Sequence, residues 1–65
     1  MIRYDVRKLV DARLEKGWSQ IRVARISGLA PATVHRVERG LFQKPETVLR
    51  IAQALGVPMR ELLLR

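Results

Sequence analysis

Glycine and proline fall along this chain at intervals that admit only short helices. Gly17, Gly28, Gly40 and Gly56 are interleaved with Pro31, Pro45 and Pro58. Proline suits the first position of a helix and glycine the position just past its end, so each such pair marks a start and a stop. Between the marks, apolar residues recur at three- and four-residue steps rather than alternating, which predicts five short helices and no strand. The fold class expected is therefore all-α, as one compact domain over residues 1–65. A chain this short sits near the lower size limit for unassisted folding. It has no cysteine, so neither a disulfide nor a thiolate metal site can staple it. Helix packing, alone or with a second subunit, has to supply the stability.

The first helix is expected from Val6 to Lys16, with Asp5 as its cap and Gly17 as its end. Val6, Leu9, Val10, Arg13 and Leu14 follow helical spacing, and Trp18 follows as a core anchor. Ser19 caps a second helix over about 20–26, with Val23 and Ala24 inward and Arg22 and Arg25 outward. Ser27, Gly28 and Leu29 form a tight turn in which Gly28 takes the left-handed conformation. Pro31 opens a third helix, about 31–39, closed by Gly40. With Val34 set inward, Val37, Glu38 and Leu41 lie on or beside the inner face. Ala32, Arg36 and Arg39 cluster opposite, flanked by Thr33 and His35. Pro45 opens a fourth helix to Leu55, striped by Val48, Ile51, Ala52 and Leu55. Pro58 opens a short fifth helix with Met59, Leu62 and Leu63 as core. Leu64 is left over on that helix, either as a frayed end or for a dimer contact.

Thirteen Lys and Arg stand against six Asp and Glu, a net charge of +7. The excess is concentrated in the middle: Lys16, Arg22, Arg25, Arg36, Arg39 and Lys44 have only Glu38 among them as an acid. In so small a domain this points to a polyanionic partner, against the plainer reading of a solvated basic surface. No apolar run approaches the ~18 residues of a membrane span. The start lacks the apolar core of a signal peptide, so a soluble cytoplasmic protein is expected. His35 is the only histidine, and there is no metal-ligand spacing, glycine-rich phosphate loop or nucleophile–base pair. An enzyme, a cofactor and a metal are not expected.

Two helices joined by a short glycine-containing turn within a basic all-α domain form the helix-turn-helix pattern. The stretch from Gln20 to Arg39 resembles the lambda-repressor/Cro-like helix-turn-helix family. The likeness rests on "SQIRVA" (Ser19 to Ala24), Gly28 in the turn and "TVHRVERG" (Thr33 to Gly40). "PETVLRIAQALGVP" (Pro45 to Pro58) is similar to that family's fourth helix and following turn. The resemblance implies a five-helix DNA-binding domain with its helix-turn-helix at about 20–39. It places Pro31, Ala32, Thr33, His35 and Arg36 toward the major groove. Ser19, Gln20, Arg22, Arg39 and Lys44 are expected on backbone phosphates, with Gln20 also bracing the recognition helix. Arg13 and Glu38 match an ion pair that ties helix one to the recognition helix.

The chain departs from that pattern at three positions. Ala30 stands where a capping serine is frequent, Pro31 where a polar base reader is common, and Ser27 where an apolar residue is usual. Pro31, Ala32 and the Thr33 methyl would then meet thymine methyl groups, leaving Arg36 as the main hydrogen-bonding reader of bases. The function these observations imply is a double-stranded DNA-binding transcriptional regulator, most simply a repressor acting as a homodimer. Two other classes stay open: a module that binds a toxin, polymerase or phage protein partner, and an RNA-binding domain. With one each of Trp, Tyr and Phe, the last lacks the stacking aromatics of single-strand readers.

Overall fold

Every helix in the computed structural model, which describes residues 3–64, ends in the same hydrogen-bonded closure. The helices are α1 (Val6–Glu15), α2 (Gln20–Ser27), α3 (Pro31–Glu38) and α4 (Pro45–Leu55). After each, the residue beyond the glycine donates its N–H back into the last turn. Trp18 bonds to the Arg13 carbonyl at 3.1 Å, and Leu29 to Ala24, Leu41 to Arg36 and Val57 to Ala52 at 2.9 Å each. This closure needs a left-handed residue at the corner and favours an apolar one after it. Trp18, Leu29 and Val57 meet that second condition by packing against the core. One short sequence device thus both stops each helix and turns the chain back over the interior.

The core is built from one stripe per helix. Leu9 of α1, Val23 and Ala24 of α2, Val34 and Val37 of α3, and Val48, Ile51, Ala52 and Leu55 of α4 are buried together. The α4 stripe fell where its spacing put it, as did the inward pairs of α2 and α3. Leu14 does not: it is 58% exposed. With Leu9 at the centre of the buried face, a residue five positions on lies about 140° round the helix. Leu41, expected on the inner face of α3, is 72% exposed. It lies beyond Gly40, whose φ of 74° ends the helical projection that put it there.

The fifth helix and the absence of strands are both corrected. Only a 3-10 turn, Met59–Glu61, follows Pro58, and the chain then extends as β2 (Leu63–Leu64). That strand pairs antiparallel with β1 (Arg3–Tyr4), Arg3 opposite Leu64 and Tyr4 opposite Leu63. Three residues of turn are too few to propagate a helix against the cost of starting one. Leu62 is instead driven into the core at 0% exposure, and Tyr4 is buried at 4%. The Asp5 N–H donates to the Leu62 carbonyl at 2.6 Å, continuing the pairing. Asp5 therefore joins the ladder with its backbone and makes no side-chain cap on α1. Leu63 is exposed rather than core, and Leu64 is exposed on a strand, so no C-terminal helix offers it to a dimer.

Candidate nucleic-acid interface

The turn between α2 and α3 is three residues long because its backbone leaves the helix at once. Gly28 adopts φ 72° and ψ 30°. Ala30 is extended, and Pro31 starts α3 with its fixed φ already helical. Ser27, at a position where the likeness expects an apolar residue, turns its hydroxyl back onto its own helix. Its Oγ donates to the Val23 carbonyl at 2.5 Å and so adds no unpaired polar group at the corner.

The orientation of α3 is set by a polar cluster on its inner edge. Arg13 Nε donates to Glu38 Oε2 at 2.7 Å and Arg13 Nη2 to Glu38 Oε1 at 3.0 Å. The third donor of that guanidinium, Nη1, reaches the Trp18 carbonyl at 2.9 Å. Gln20 Nε2 donates to Glu38 Oε1 at 2.8 Å. Side chains of α1 and α2 thus converge on the one carboxylate of α3, and Arg13 also ties in the loop at Trp18. Arg13 and Glu38 are only 13% and 6% exposed at their side chains. A two-pronged pair in so dry a setting fixes angle as well as distance, and contributes more to geometry than to net stability. Among the described residues, no buried side-chain nitrogen or oxygen is left without a partner.

With its inner face held, α3 presents the opposite one. Pro31, Ala32, His35 and Arg36 are exposed, Thr33 is half-buried, and Arg39 is exposed just past the helix end. No side chain caps the helix at Ala30. Ser19 caps α2, its Oγ accepting from the Arg22 N–H at 3.1 Å, which leaves its own hydroxyl proton to donate elsewhere. Gln20 has one amide N–H on Glu38 and a second still to give. Lys44 occupies the cap position of α4 with its side chain exposed. Arg22, Arg36, Arg39 and Lys44 therefore lie in the first turn of α2, on α3, just past its end and at the start of α4, while Lys16 ends α1 and Arg25 sits in the last turn of α2. Among the described residues, none of Arg22, Arg36, Arg39 and Lys44 has a carboxylate within ion-pair distance.

Sequence reasoning placed Trp18 in the core and missed its other neighbours. The ring is half-buried, with Lys16 Nζ 5.0 Å and Arg22 Cζ 4.9 Å from its centroid. The signal was present in the spacing, a cation two residues before the ring and another four after it. Gln43 was also missed: its Oε1 accepts the Tyr4 N–H at 3.0 Å and ties the loop before α4 to β1.

No helix among the described residues is long and apolar enough to cross a membrane. None of the curated proteins and none of the solved structures matches this chain. The sequence model of the helix-turn-helix family does, over residues 9–62 of the 65. That span runs from the first buried residue of α1, Leu9, to the last plug of the core, Leu62, and takes in the whole of the α2–turn–α3 unit. The chain belongs to the lambda-repressor/Cro-like helix-turn-helix family of DNA-binding regulators.

Proposed function

We propose that this protein is a sequence-specific transcriptional regulator that lays α3 in the major groove of duplex DNA, most simply as a repressor. The observation that carries the reading is the two-sided character of α3. One face is locked to α1 and α2 through Glu38, while the other exposes small residues first and arginines later. Such a helix can enter a groove without rearranging, which limits the ordering cost of binding. Pro31, Ala32 and the Thr33 methyl meet thymine methyl groups, His35 lines the groove, and Arg36 reads guanine with two hydrogen bonds. Ser19, Gln20, Arg22, Arg39 and Lys44 hold phosphates and set the register. The activity is binding alone, with no catalytic step and no cofactor.

One α3 offers few base contacts, so two copies are expected on a two-fold operator with half-sites about 34–36 Å apart. Selection from randomised duplexes with the purified protein tests the whole reading. An enriched inverted repeat supports it, and a single enriched half-site removes the dimer while keeping the reader. No enrichment, with no salt-sensitive affinity for duplex DNA, removes it in favour of a protein-binding module. The exposed Ile21, Ile26, Leu41 and Phe42 would then be the contact surface to examine.

A further inference from the structure

We propose that Trp18 is a positioning residue that gathers Lys16 and Arg22 into a two-cation clamp for neighbouring phosphates of one DNA strand. The inference rests on the DNA-binding reading above and adds to it a part that neither the family nor the outward face of α3 requires. Lys16 Nζ and Arg22 Cζ both lie within 5.0 Å of one ring centroid. The two charges are therefore no more than about 10 Å apart, and phosphates of one strand recur every ~3.4 Å along the duplex axis. Among the described residues, neither cation has a carboxylate within ion-pair distance. Two like charges at this range repel, and both ride on long flexible stems. The electron-rich ring between or beneath them offsets the first and restrains the second.

Holding a cation on a ring face does not consume its hydrogen bonds. A guanidinium or an ammonium over a ring keeps the N–H groups that are turned away from it. The ring is itself a fixed platform. Its residue donates its backbone N–H to the Arg13 carbonyl at 3.1 Å and accepts from Arg13 Nη1 at 2.9 Å. Arg13 in turn grips Glu38 on α3. The clamp is thus indexed to the helix that enters the groove, so seating phosphates on Lys16 and Arg22 helps set where Arg36 arrives. Arg22 and Arg25, with Ser19 and Ile21, line an open depression beside the start of α2 that leaves room for a strand to approach.

The test measures binding of two unrelated duplexes across a salt titration. Trp18→Leu, which keeps an apolar side chain and removes the π face, should weaken both about fivefold. It should also lower the slope of log K on log salt by ~1. The same substitution placed on a Lys16→Gln, Arg22→Gln background should cost nothing further. Because Trp18 is the chain's only tryptophan, growth on fluorinated tryptophans weakens this ring alone while nearly keeping its shape. Affinity should fall stepwise with fluorine number, and this series decides the matter if Trp18→Leu fails to fold. Unchanged affinity and slope in the fluorinated series, or an undiminished loss on the double-Gln background, overturns the clamp and leaves DNA binding standing. A wild-type protein with no salt-dependent duplex affinity overturns the DNA-binding reading itself.

Discussion

Gln20 Nε2 lies 2.8 Å from Glu38 Oε1, so the first residue of α2 is bonded to the last residue of α3 across the inside of the helix-turn-helix. That carboxylate also takes both prongs of Arg13. The angle between the two helices is therefore set by a polar junction at one end and by the Gly28 turn at the other. The apolar stripe between them then needs only to fill space.

Removing one partner of the junction should cost more than removing the whole of it. Glu38→Leu strands the Arg13 guanidinium at 13% exposure and should destabilise the fold by ~3 kcal/mol or more. The double variant Arg13→Met, Glu38→Leu should recover much of that loss. Urea denaturation of the two variants checks this. A double variant as unstable as the single one would mean that the pair itself holds the fold together.

The uncapped start of α3 is an opportunity. Ala30 has φ −74° and ψ 145°, the extended geometry of a capping residue, and supplies no side-chain acceptor. Ala30→Ser should raise stability by ~0.5–2 kcal/mol, read as a higher midpoint in thermal unfolding.

Gly28 is required by its backbone rather than by crowding. At φ +72° the nearest atom to an added Cβ is Arg50 Nη1 at 3.7 Å, an ordinary contact at the end of a flexible side chain. Gly28→Ala should therefore cost only the left-handed penalty of ~1–2 kcal/mol. A much larger loss in denaturant would show that the turn cannot accept a Cβ for some other reason.

Arg36 and Lys44 should separate reading from holding. Arg36→Ala should cost ~1–3 kcal/mol on the selected site and relax preference at the base it meets. Lys44→Ala should weaken every duplex alike and lower the salt slope by ~1. Competition binding with matched and mismatched duplexes distinguishes the two. If Arg36→Ala weakens all sequences equally, it holds phosphate and another residue reads the bases.

Much of the arrangement was legible along the chain, and the misses share a cause. Helix limits were readable because glycine and proline act on their own φ and on neighbours within one turn. The exposed face of α3 followed from its period once Val34 was set inward. The Arg13–Glu38 pair, 25 residues apart in sequence, was implied by family likeness alone and by no spacing. The β1–β2 ladder left no trace in the pattern, because two residues are too few to show alternation. Leu14 and Leu41 were misplaced because periodicity gives the direction of a stripe but neither its width nor its validity past a glycine.

By itself, then, the order of residues determined where each of the four α-helices begins and ends, which side of it avoids water, and that the middle of the chain carries the positive charge; it overstated the start signal at Pro58, which opens only a 3-10 turn. Those are local matters, settled by backbone stereochemistry and by the apolar repeat. Contacts between distant segments decided the rest. Leu62 had to fill the core, which drew Leu63 and Leu64 into an extended pairing with Tyr4 and Arg3. Arg13, Gln20 and Glu38 had to meet from three different helices, which fixed the angle at which α3 turns its outer face to solvent. Such placements depend on which surfaces are left over after the helices pack, and no neighbour in sequence encodes that.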